Sequence, residues 1–286
     1  MAGVRASRKA DGWRAYRCRL LLGVAVGLLL AGLFLSPLSL REKGRVRGPL
    51  PLGEGALDAS LPLPRVMLWA WERREDMRAI DPRQVGVAYL AKTLFLRQGN
   101  VVTRPRLQPL QVPPTTVLMP VVRIESDKLS PPTLDAGQRT RVVEEILALG
   151  RASITPVIQI DFDAKISERA FYRTVLYDLR RALPDTTRIS ITALASWCLA
   201  DNWLAGLPID EAVPMLFRMG ADRQRVLWHL QTGGALRCLP TQQSLGMAAD
   251  EPLPHGLPGS RLYVFSPQAW SPASVHSALE EVKRWE

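Results

Sequence analysis

The stretch PVIQIDFDA, residues 156–164, decides the fold. Strict alternation puts Ile158, Ile160 and Phe162 on one face of a strand and Gln159, Asp161 and Asp163 on the other. One face must meet an apolar layer, and the other must meet something that tolerates carboxylates. A parallel α/β barrel supplies both: its outward face packs on helices, its inward face lines the lumen, and the C-terminal members of the inward row reach the catalytic rim.

Working outward, short apolar runs recur on both sides of this stretch. Strands are predicted at residues 66–71, 85–90, 116–124, 157–162, 189–195, 213–217, 245–249 and 262–265. Helical patterning is clearest at 137–150, 167–183, 222–232 and 272–285. Ser167 followed by Glu168 reads as a helix start, and Ser271-Pro272 has the N-cap then N1 proline form. Eight strands with intervening helices predict an α/β fold, a (β/α)8 TIM-like barrel that is imperfect because residues 91–115 read as a loop or hairpin. A doubly wound open sheet is the alternative, but no Gly-rich phosphate turn follows any strand.

On the fourth predicted strand, Asp161 and Asp163 stand two residues apart, about 6 to 7 Å between Cα atoms. Such a pair can keep one acid protonated beside an ionised neighbour, which general acid/base chemistry uses. If the chain is an enzyme, Asp163 is the candidate general acid and Asp161 its electrostatic partner; a buried polar network or a weak cation site is the competing reading of the same pair. Other strand ends offer Glu72, Glu125 and Glu251 as a second carboxylate. Trp71, Arg123, Gln159, Trp197, Arg218 and Asp250 complete the candidate substrate-binding rim, indole faces at a barrel mouth being suited to sugar rings. Each of these polar residues taken alone also fits a solvated or structural role, since strand ends are normally polar.

At the front of the chain, residues 20–40 form an uncharged run long enough to span a bilayer. A cleaved signal peptide is the competing reading, but no A-x-A cleavage site follows. The chain thus divides into a basic cytoplasmic tail (1–19), an anchor touching membrane lipid (20–40), a Pro/Gly-rich linker (41–64) and a barrel domain (65–286). Six basic residues precede the run and four follow it, which favours a cytoplasmic N-terminus and a periplasmic or extracellular body. In that compartment Cys198 and Cys238 could form a disulfide or stay unpaired.

The net charge of +10 invites a nucleic-acid reading. Residues 1–47 hold ten of the 37 Lys and Arg against two acids, so the remainder carries only +2. A near-neutral body has no basic face for a phosphate backbone, and nucleic acid is excluded as a partner. His229, His255 and His276 lie far apart, and there is no C-x-x-C, P-loop or G-x-S-x-G, so no metal or cofactor is expected.

The runs QIDFDA, SERAFYRTVLYDLRRALP, ISITALASWC, LWAWERREDM and DEAVPMLFRMG together resemble a bacterial family known as domain of unknown function family 3142. That resemblance implies no activity of its own. More distantly, Gln159-Ile160-Asp161-Phe162-Asp163 resembles the fourth-strand motif of chitinase-like glycoside hydrolases, in which alternating acids end in a catalytic Glu. With Asp163 in that Glu's place, Asp161 matches the supporting acid and Gln159 replaces an earlier Asp. Aligned on both aspartates instead, the Glu position falls on Lys165 and the leading Asp on Ile158. The resemblance implies a polysaccharide as partner, either hydrolysed or, with the Glu missing, bound by a non-catalytic barrel. A third reading makes the anchor the essential element and the body an assembly component of the envelope.

Overall fold

The computed structural model describes residues 63–199, 201, 203–237, 244–251 and 261–285. In chain order the elements are β1 (Val66–Ala70), β2 (Glu75–Asp76), β3 (Val85–Arg97), β4 (Asn100–Pro105), β5 (Leu110–Gln111), β6 (Leu118–Ser126), α1 (Ala136–Ala152), β7 (Val157–Asp161), α2 (Arg169–Ala182), β8 (Arg188–Leu194), β9 (Glu211–Met215), α3 (Arg223–Gln231), β10 (Ser244–Ala248), β11 (Arg261–Phe265) and α4 (Pro272–Trp285). The basic tail, the 20–40 segment, linker residues 41–62, Cys238 and His255 lie outside the described residues. Among the described residues no helix is long and apolar enough to cross a membrane.

Eight strands pair in parallel in the order β1-β11-β10-β9-β8-β7-β6-β3, and β3 pairs with β1 to close the ring. Closure removes the unpaired edges that an open sheet of this length would expose. The expected barrel is therefore present, with the 157–161 stretch as its fourth strand. It is imperfect where the sequence said it would be: α-helices follow β6, β7, β9 and β11, while β3 overruns the predicted 85–90 and turns back antiparallel as β4. The short β2 and β5 pair as a separate ribbon.

Ile158 and Ile160 are buried outward against Val142 and Ile146 of α1 and Tyr172, Val175, Leu176 and Leu179 of α2. At about 25 cal/mol per Å² of apolar surface, this outer layer dominates what holds the strand in place. The amphipathic pattern fixed α1 and α2 well; their starts needed the caps. Asp135 accepts the Gln138 N–H at 2.8 Å to begin α1. Before α2 a 3₁₀ turn, Ile166–Glu168, intervenes, and the Glu168 carboxylate takes the Lys165 N–H at 2.7 Å. The helical turn thus begins a little before the predicted Ser167. Ser271 does cap α4, accepting the Ser274 N–H at 3.3 Å.

Inside, the lumen is filled in layers. Trp69 lies 6.0 Å from Phe217 and 5.2 Å from Tyr263, and Phe217 stacks on Phe265 at 5.2 Å. Gly246 makes room for that indole: a Cβ there would come 3.0 Å from Trp69 Cη2 and 3.3 Å from the Pro214 carbonyl oxygen. The ring is thinnest beside it, since Gly246↔Met215 is the single register pair between β9 and β10 among the described residues. Cys198 is disulfide-bonded.

Candidate functional site

Asp161 ends β7 directly across from Arg123 of β6. Both carboxylate oxygens are engaged: Oδ2 accepts from Arg123 Nη1, and Oδ1 accepts from Thr192 Oγ1 of β8 at 2.7 Å. Only 2% of the side chain is exposed. Three neighbouring strands thus hold Asp161 in one orientation.

Asp163 stands two residues on, past the strand end, and 43% of its side chain meets solvent. Partial desolvation by the neighbouring protein, joined by the Asp161 charge and then that of Glu125, pushes its carboxyl up to about 6, against the opposing pull of Arg123 at 3.9 Å. A carboxyl poised there can be protonated at mildly acidic pH and still give its proton up readily.

Arg123 is the hub. Nε donates to Glu125 Oε1 at 2.7 Å, and the guanidinium lies over the Trp71 ring at 5.9 Å. Desolvation works against its charge, but Asp161, Asp163 and Glu125 outweigh it and raise the guanidinium above its ordinary range. Glu125 Oε1 at 2.7 Å and Asp163 Oδ2 at 3.9 Å flank the same planar guanidinium, so these two oxygens are no farther apart than about 9 Å. Trp71, Arg123, Glu125, Asp161 and Asp163 form one constellation.

Loop anchoring fixes the wall on the β1 side. Arg106 donates to the carbonyls of Trp71 and Arg73, the latter at 2.7 Å, and Arg73 donates to Ser266 and Pro267 oxygens at 2.9 and 2.7 Å. Glu72 serves the same frame, accepting the Leu107 and Gln108 N–H groups at 2.9 and 3.1 Å. Its carboxylate braces the segment that joins β4 to β5.

Arg218, Asp250 and Glu251 come together as a second group at the ends of β9 and β10. Arg218 donates to Asp250 at 2.6 Å and to Glu251, and Glu251 also pairs with Arg223 at 2.9 Å. Arg218 adopts φ +53°, a left-handed conformation unusual for a non-glycine residue, with its N–H on Glu251 Oε1 at 3.2 Å.

Two expected rim residues sit elsewhere. Gln159 is fully buried below the rim, accepting from the Trp69 indole at 2.8 Å and donating to Ser190 at 3.1 Å. Inward alternation placed it in the lumen correctly, but the layer above covers it. Trp197 is also buried, edge-on to Trp203 at 4.9 Å with Arg169 over its ring at 5.7 Å. It lies in the apolar layer shared with α2, because the 3₁₀ turn Ala195–Cys198 carries it off the strand direction.

The inward row on β9 was missed. Glu211, first residue of that strand, accepts from Ser190, Ser244 and Arg261 at 2.6 Å and from Tyr263 at 2.7 Å. The predicted strand began at Val213, so the alternation was read two residues short of the carboxylate. Tyr172 was missed too: its hydroxyl is buried without a partner, and burial, then Asp161 and Asp163, push the phenol well above its usual range. Among the described residues no three His, Cys, Asp or Glu are grouped to hold a metal ion.

No protein-family model and no curated protein matches the chain. Among solved structures it is similar to the Bacillus cereus spore cortex-lytic enzyme SleL, with 18% identity over 65% of this chain and a TM-score of 0.42. It is also similar to the chitinase domain of the spore coat protein CotE from Clostridium difficile, with 12% identity over 76% of this chain, 68% of that one, and a TM-score of 0.38. The match spans half the length of the cortex-lytic enzyme.

Proposed function

We propose that this chain is a membrane-anchored envelope protein whose barrel engages a polysaccharide at its C-terminal mouth, with Asp163 as general acid. One observation carries the reading: Asp163 opens to the mouth with its carboxyl pushed up to about 6, beside an Asp161 that Arg123 and Thr192 hold immobile. The glycosidic oxygen would take the Asp163 proton as its bond breaks, while water bonds to the anomeric carbon and gives its proton to Glu125, and the neighbouring Asp161 charge disfavours a second negative charge on Asp163 before that moment. Trp71, half-buried beside Arg123, offers an indole to a sugar ring. The QIDFD run straddles the C-terminal end of the fourth barrel strand, with Phe162 and Asp163 just beyond it, where its resemblance to chitinase-like enzymes would put it.

Glu125 is the second carboxyl best placed, while Glu72 and Glu251 are committed to bracing contacts. The uncharged run at 20–40, flanked by basic residues, supports an anchor with the barrel on the far side of the membrane. The family 3142 resemblance belongs to the same reading and adds no activity to it.

A second reading is favoured by the position of Arg123. Its guanidinium stands between Glu125 and both aspartates, a neutralising arrangement better suited to gripping a glycan than to activating water. Incubating the full-length chain and Asp163→Asn with a panel of bacterial polysaccharides separates the two. Cleavage lost in the variant supports the hydrolase, binding without cleavage by either protein supports the grip, and cleavage equal in both overturns the role of Asp163.

A further inference from the structure

At the opposite end of the barrel from Asp163, a cavity of about 240 Å³ is lined by Leu63, Val157, Arg188, Ser190, Asp210, Glu211 and Arg261. A water molecule's share of liquid volume is about 30 Å³, so this space would take roughly eight waters or one small organic molecule. Val157, Arg188, Glu211 and Arg261 each begin a barrel strand, which puts the cavity at the N-terminal face. The Trp69, Phe217 and Phe265 rings fill the lumen between the two ends.

Counting donors and acceptors decides what the cavity can take. Glu211 is satisfied by Ser190, Ser244, Arg261 and Tyr263. Asp210 Oδ2 accepts from Arg180 and from the Ile189 N–H at 2.7 Å. Ser190 is used twice, donating to Glu211 and accepting from Gln159. Glu211 and Oδ2 of Asp210 are thus held by protein donors. Arg188 differs: half-buried at the start of β8, its guanidinium makes no hydrogen bond or ion pair among the described residues. It brings five N–H groups in a planar fork to the lining of the cavity.

We propose that this cavity is a second binding site, taking a small molecule with a phosphate or carboxylate group that pairs with Arg188. The fork matches two oxygens of either anion at once, and Leu63 and Val157 provide an apolar wall for a short carbon skeleton.

Isothermal titration of the full-length protein with inorganic phosphate, and separately with succinate, tests it and distinguishes the two anions. Saturable one-site binding of at least one, with Kd below about 1 mM, is expected. Arg188→Gln should weaken that binding at least about tenfold, and Arg188→Lys should weaken it less, since a point charge remains while the fork is lost. Because Arg188 has no partner to lose among the described residues, both variants should keep the parent's thermal midpoint; if Arg188→Gln does not fold, Arg188→Lys carries the comparison. No saturable binding of either anion by the parent, or binding undiminished in both variants, overturns the proposal. Polysaccharide turnover at the other face does not enter this readout.

Discussion

Arg123 and Asp161 face each other across the β6–β7 register, and the same guanidinium that binds Asp161 lies 3.9 Å from Asp163. One arginine therefore sets the behaviour of two carboxyls that the strand places on one face. It locks the first, and it partly offsets the repulsion that the first exerts on the second.

If Asp163 donates a proton in catalysis, Asp163→Asn lowers kcat by about 10² to 10⁴ and leaves glycan binding within a few-fold. The parent's kcat/KM falls as pH rises through about 6, where the acid loses its proton. Initial rates between pH 4 and 8 check both; a flat profile contradicts the assignment.

The same carboxyl affects folding. Its folded value is raised from 3.8 to about 6, so its contribution to stability is complete below pH 3.8 and is lost as pH climbs through 6. Asp163→Asn should match the parent near pH 4 and melt higher at pH 8. Because the side chain is 43% exposed, solvent screening reduces the gain to about 1 kcal/mol, or about 2 to 4 °C. Thermal melts at the two pH values give the comparison.

Asp161→Ala leaves the half-buried Arg123 guanidinium with Glu125 and Asp163 but without its Asp161 partner, and should cost about 3 kcal/mol, the low end for a broken buried pair. Replacing both, as Asp161→Leu with Arg123→Met, should recover a large part of that loss, since two charges no longer have to be desolvated. Urea denaturation of the single and double variants measures the difference.

At the other end of the lumen, Glu211→Ala removes four hydrogen bonds and strips Arg261 of its carboxylate. A loss of about 3 to 5 kcal/mol is expected, with a smaller one for Glu211→Gln, which keeps acceptor capacity. Denaturant midpoints distinguish the two variants.

Gly246→Ala pushes a methyl to 3.0 Å from the Trp69 ring, and should destabilise by about 1 to 3 kcal/mol. Trp69 emission should shift in the folded variant, because the indole must move off its hydrogen bond to Gln159.

All eight barrel strands were legible in the sequence because their burial is two-sided: apolar runs bounded by turns mark strands whether they face lumen or helix. The pairing of Asp161 with Asp163 was legible for the same reason, through the period of two. What alternation does not carry is depth. Gln159 and Asp161 share a face, yet one lies beneath an aromatic layer and the other at the rim, and that layer comes from Trp69 on β1, Phe265 on β11 and Phe217 just past the end of β9. Nor could spacing show that Glu72 would be consumed by backbone amides 35 and 36 residues away. Trp197 was offered to the rim for its nearness to the end of the fifth strand, but the 3₁₀ turn after β8 turns it into the apolar layer instead.

The narrow seam between β9 and β10 makes the barrel unequal around its circumference. Held at that point, among the described residues, by one register pair and the Leu216 N–H on the Gly246 carbonyl at 2.8 Å, the ring behaves as a sheet of eight strands rolled up and latched, with β10 and β11 hanging from β1 on one side of the latch and the other strands on the other. Amides along β9 and β10 should exchange with solvent before those of β3 and β6, whose shared register runs for nine pairs. Arg218, Asp250 and Glu251 span that latch from the mouth side, so the charge group beside the candidate site also acts as its clasp.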